Sequence, residues 1–107
     1  MAASRLKVIR SQEFERKARH FFPPGGSADG KPSYELFGDT VLKGIEFSFA
    51  RTFDDLPVAQ PGLDAIRAVT TQSSPLFPPL VAFGLRVAED TVELIDMEVD
   101  ETFWDRM

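Results

Sequence analysis

Leu80 to Glu101, LVAFGLRVAEDTVELIDMEVDE, is the stretch whose reading decides the fold of this chain. Two apolar runs flank the polar turn Ala88-Glu89-Asp90. In the first run Val81, Phe83, Leu85 and Val87 alternate with smaller or polar residues, which puts them on one face of a strand. The second run, Thr91 to Val99, continues into Asp100 and Glu101 and brings five carboxylates: Glu93, Asp96, Glu98, Asp100 and Glu101. The stretch predicts a β-hairpin with a packed face and an acidic face. In the second strand Val92 and Leu94 share one parity, while Ile95, Met97 and Val99 share the other. A bulge near Leu94-Ile95 would keep both sets on the core; otherwise both faces are covered there.

Working outward, Ile66 to Thr71 predicts a short strand with Ile66, Ala68 and Thr70 on one face and Arg67 and Val69 on the other. A polar, proline-bearing connection, Gln72 to Pro79, joins it to the hairpin. At the other end Leu6 to Arg10 reads as a strand. Ser11 follows as a helix N-cap, with Glu13 in the first turn where the helix dipole favours a carboxylate. Phe14, Ala18 and Phe21 or Phe22 lie at helical spacing, and the helix must stop before Pro23-Pro24. Pro23 to Pro32 is a loop by composition. From Tyr34 to Phe53 two periods compete. Phe37, Val41, Ile45, Phe49 and Phe53 recur every four residues, as on a helix, whereas Ile45, Phe47 and Phe49 alternate, as on a strand. The longer pattern favours a helix, ended by Asp54-Asp55-Leu56-Pro57. The expected fold is α+β: an N-terminal strand and two helices packed on a mostly antiparallel sheet that ends in the hairpin. Phe103 and Trp104 read as a lid on the core, or else as an exposed anchor for a partner, with the lid favoured.

Composition bounds the function. A chain of 107 residues, 43% hydrophobic with ten Phe, can bury a real core and is expected to form one domain over residues 1–107. It has no Cys, which excludes disulfides, thiol nucleophiles and thiolate metal sites and fits a reducing cytoplasm. Met1 to Arg5 lacks the apolar stretch of a signal peptide, and no run has the length of a membrane span, so a cytoplasmic protein is expected. The net charge of −5 is unevenly spread: residues 1–53 hold nine Lys/Arg against six Asp/Glu, and residues 54–107 hold three against eleven. No cofactor motif is present. Gly25-Gly26 lacks a following Walker Lys-Ser/Thr pair, and Ser73-Ser74 lacks a nucleophile elbow. His20, the only His, is a weak candidate for catalysis and cannot hold a metal alone.

The acidic run is the sharpest chemical feature. Asp96, Glu98 and Asp100 share strand parity, about 7 Å apart. Such a row is a solvated strand face that guards an edge, a site for a basic partner or a phosphate-like track, or a seat for a hard divalent cation. Its counterpart is basic: Arg5, Lys7, Arg10, Arg16, Lys17 and Arg19 in the first strand and helix, with Arg67 and Arg86 on the sheet. These could dock an acidic partner or pair with the chain's own acidic strands.

The order strand, helix, helix, strand, strand, strand resembles the RelE/ParE superfamily of small toxins from toxin–antitoxin pairs. The resemblance rests on Leu6 to Phe21, LKVIRSQEFERKARHF, and Ile66 to Val99, IRAVTTQSSPLFPPLVAFGLRVAEDTVELIDMEV, about half of the chain. It implies a toxin-like protein whose first partner is an antitoxin segment wrapped on the sheet and helices, and it also allows a homodimer. The ribosome-dependent nucleases of that superfamily place cations on the sheet and Arg and Tyr after the last strand. Here Ala82 and its neighbours are small or apolar, and Asp100-Glu101-Thr102-Phe103-Trp104-Asp105 follows the last strand. Carry-over of the nuclease mechanism and direct binding of nucleic acid are therefore not expected. The other function class is an acidic interaction module, or nucleic-acid mimic, that inhibits a basic, nucleic-acid-handling protein.

Overall fold

Ser11 both ends the first strand and starts the first helix. Its backbone N–H donates to the Leu94 carbonyl at 2.9 Å, and its hydroxyl accepts the Phe14 N–H at 3.0 Å, satisfying an orphan donor of the helix. The computed structural model describes residues 5–28 and 30–105, without the side chains of Trp104 and Asp105. Strand β1 (Lys7–Arg10) leads into α1 (Gln12–Phe21), which stops ahead of the two prolines. After the loop come α2 (Tyr34–Asp39) and α3 (Val41–Thr52), then a 3₁₀ turn over Phe53–Asp55. Strands β2 (Ile66–Thr71), β3 (Leu80–Ala88) and β4 (Thr91–Val99) follow, with a short helix α4 (Thr102–Asp105) at the end. The fold is α+β, in the expected order of elements.

The stretch 34–53 is helical, but it is two helices rather than one. Thr40 takes φ −124° and ψ −83°, outside the helical region, and its hydroxyl donates back to the Leu36 carbonyl at 2.6 Å. The four-residue stripe survives the break. Phe37, Ile45, Phe49 and Phe53 are buried, and Val41 packs against them.

The sheet order is β1-β4-β3-β2. β1 runs parallel to β4, and the other neighbours are antiparallel. The bulge expected in β4 is present: Gly84 pairs with Leu94 and Phe83 with Asp96, which leaves Ile95 as the extra residue. Val92 and Leu94 before it, and Met97 after it, therefore all reach the core.

One expectation reverses. The packed face of β3 is not the one carrying its large residues. Leu80 and Ala82 are buried with Val92, Leu94 and Met97, whereas Val81, Phe83 and Leu85 are only half-buried and lie outside the core cluster. The helices supply the bulk themselves, through Phe14, Phe22, Phe37, Phe49 and Phe53. Each such ring contributes about 1.5–3 kcal/mol on burial. Rings of that size need small residues beneath them. Gly84 supplies the extreme case, since a Cβ there would lie 2.6 Å from a ring carbon of Phe49. In the middle of β3 the small residues Ala82 and Gly84 therefore point in, and Val81, Phe83 and Leu85 point out. The lid expected of Trp104 falls on a side chain outside the described residues; Phe103 is half-buried.

Candidate protein-binding face

The strand register places the outward residues in rows. Ile66, Leu85, Glu93 and Ile9 form one row across the four strands; Ala68, Phe83 and Asp96 form the next; Thr70, Val81 and Glu98 form the third. The face opposite the helices is thus an apolar strip on β2 and β3 beside an acidic ridge on β4. Without the bulge Glu93 would have the wrong parity, so the inserted residue brings it into line with Asp96 and Glu98. Val87 at 47% exposure and Ile9 at 37% extend the apolar surface at the ends of the rows. The apolar strip is two strands wide and three rows long, roughly 10 Å by 20 Å.

The five carboxylates do not behave alike. Glu93 and Glu98 form no ion pair among the described residues, and they flank Asp96. Asp96 is tied to Lys17 at 2.6 Å and accepts the Met97 N–H at 2.9 Å. Asp100 lies beyond the end of β4 and accepts from the Thr102 hydroxyl at 2.5 Å and the Thr102 N–H at 3.1 Å, so it serves the last turn rather than the row. Glu101 is exposed next to it. The expected single line through Asp96, Glu98 and Asp100 is therefore corrected to Glu93, Asp96 and Glu98.

The cations meet their charges inside the molecule. Arg16 forks onto Glu13 at 2.6 and 3.0 Å and depresses its carboxyl below the usual range. Arg10 reaches Glu15 at 3.2 Å and Glu46 at 3.5 Å, and Arg19 reaches Glu15 at 3.5 Å. The Tyr34 hydroxyl stands 2.8 Å from both oxygens of Glu15 and lies under the Arg19 guanidinium. This network ties β1 and the three long helices together. Burial raises the Glu46 carboxyl above its ordinary value, against the pull of Arg10.

Arg67 and Arg86 are not cations of the open face. Both have the parity of Gly84, which points at the helices. The Arg67 guanidinium donates to the carbonyls of Phe53, Asp54, Leu56 and Asp64 at 2.8–3.1 Å, and it lies over the Phe53 ring. It braces the 3₁₀ turn that follows α3 against the start of β2. Arg86 donates to the Glu89 carbonyl across the hairpin turn and stands 3.7 Å from Asp54. His20 is exposed against the edge of Phe21. Among the described residues no group of three His, Asp or Glu could hold a metal ion, and no helix is long and apolar enough to cross a membrane.

No protein-family model and no curated protein matches this sequence. The site therefore stands on its geometry. What the sequence reading missed is the apolar half of the face. The alternation of Val81, Phe83 and Leu85 was visible, but it signals only that the residues share a side.

Proposed function

We propose that the chain is a binding protein of the toxin type, from a toxin–antitoxin pair, that works through its open sheet face rather than through a nuclease site. The observation that carries this is the row structure of that face: Phe83 and Leu85 lie outside the core, directly across from Asp96 and Glu93. The inward turn of Arg67 and Arg86 supports the same reading, because it takes away the sheet cations that phosphate chemistry would need. The patch suits one amphipathic helix of a partner such as an antitoxin. The helix would lay its apolar side on Val81, Phe83 and Leu85 and its cations along the ridge. Cations at every fourth helical position recur about every 6 Å, close to the ~7 Å between rows.

The acidic ridge supports a second reading, an inhibitor that enters the basic groove of a nucleic-acid-handling protein. The two part on which residues matter. Inducible expression in bacteria should arrest growth for the wild type, and Phe83→Asp, at equal soluble yield, should not. An acidic mimic would instead be disabled by Glu93→Gln with Glu98→Gln and would weaken with added salt. Soluble wild-type expression without arrest would dismiss the toxin reading, and arrest by Phe83→Asp would move the activity off this face.

A further inference from the structure

The cations left without an ion pair gather elsewhere. Arg5, Lys7, Lys43 and Arg51 form none among the described residues, and all four line a cleft of about 500 Å³ between β1 and one stripe of α3. Among the described residues the one carboxylate lining that cleft is Glu46, already engaged by Arg10. Phe47 stands in it at 59% exposure, with the Arg51 guanidinium 4.9 Å above its ring. The spacing of Lys43, Phe47 and Arg51, four residues apart, sets them on one side of α3.

The other wall is a sheet edge. The N–H groups of Lys7 and Ser11 donate to Asp90 and Leu94, so alternate residues of β1 face β4. Val8 and Arg10 therefore turn their N–H and C=O groups outward, and among the described residues no strand pairs with β1 on that side. At Leu6 the outward N–H donates to the Ala50 carbonyl at 2.9 Å, which joins β1 to α3 and closes that end of the cleft. An exposed strand edge facing a helix stripe, with outward backbone groups at Val8 and Arg10 that have no partner strand among the described residues, is a template for an added strand.

We propose that this cleft binds an extended acidic peptide segment of a partner protein. Its backbone pairs with Val8 inside the cleft and with Arg10 just beyond it, and its carboxylates meet Lys7, Lys43 and Arg51. The open edge favours a peptide over single-stranded nucleic acid, which would need free stacking faces. The only exposed ring here, Phe47, is already covered on one side by Arg51. The proposal concerns a different surface from the open sheet face and does not depend on it.

The test is a titration of the ¹⁵N-labelled protein with a seven-residue peptide alternating Glu and Val, and in parallel with oligo-dT. Peptide at about 1 mM, the weak end of specific recognition, should shift the Val8 and Arg10 amides and slow their hydrogen exchange. Lys43→Glu with Arg51→Glu, both exposed changes, should weaken binding at least about tenfold, the effect of ~1.4 kcal/mol. Phe83→Asp should leave it unchanged. No shift at that concentration, or binding of oligo-dT but not peptide at these residues, would overturn the proposal.

Discussion

Replacing Gly84 by alanine should lower stability by about 1–2 kcal/mol, although alanine is ordinarily the better strand residue. The methyl carbon would sit 2.6 and 2.9 Å from two ring carbons of Phe49 and 2.9 Å from a methyl of Val92. Carbon atoms rest at about 3.5–4.0 Å, so α3 or the sheet must yield by roughly 1 Å. Both neighbours are fully buried and have nowhere to swing. Overpacking of this kind costs about 1–3 kcal/mol. Against it stands a gain of about 0.5–1 kcal/mol from the smaller backbone entropy of alanine in the unfolded chain. For a chain of 107 residues the net loss is about 4–8 °C in Tm. Urea and thermal unfolding of Gly84→Ala, Phe49→Leu and the double variant would measure it. The double variant should lose less than the sum of the singles by at least about 0.5 kcal/mol, because the smaller side chain makes room for the methyl. An alanine variant as stable as the wild type, or strict additivity, would refute the claim that Gly84 lets α3 approach the sheet.

Arg67→Ala should cost about 2 kcal/mol or more, since four carbonyls lose a charged donor, and Arg67→Lys should recover less than half of it because an ammonium cannot span the fork. Urea midpoints decide this, and an alanine variant of unchanged stability would return Arg67 to the functional candidates. Tyr34→Phe should cost about 1 kcal/mol by removing the hydroxyl bond to the Glu15 carboxylate that joins α1 to α2, again read from urea midpoints. Glu35 accepts the Gly25 N–H at 2.9 Å, and that backbone bond holds its carboxyl below the usual value of 4.5. Its contribution is present above the unfolded value and is lost as the pH falls through the lower folded one. The Gly25 amide shift should therefore titrate with a midpoint below 4.5, and Glu35→Gln should abolish the step.

Much of the fold was legible because its signals are local. The Ser11 cap, the stop before Pro23-Pro24, the strand at 66–71 and the bulge at Ile95 each follow from chemistry within a few residues. The break at Thr40 was not legible, since the apolar stripe runs through it unaltered. The binding face was half legible. The carboxylates of β4 could be counted and nearly aligned, but their use could not be read. Lys17 takes Asp96 and the Thr102 turn takes Asp100 through contacts that no spacing announces.

By itself, then, the sequence determined the strands and the first helix, the parity of the residues within each strand, and the charge available to the surface, but not the division of 34–53 into two helices. Only the tertiary structure decided which side of the sheet is covered. Periodicity says that Val81, Phe83 and Leu85 share a side, not which side meets the helices. That choice belongs to volume. The Phe49 ring leaves no room for a side chain at Gly84, and with Ala82 beside it on the inner face the larger residues Val81, Phe83 and Leu85 are turned out beside the acidic ridge. The same closure turned Arg67 and Arg86 inward and left Arg5, Lys7, Lys43 and Arg51 as cations without an ion pair among the described residues.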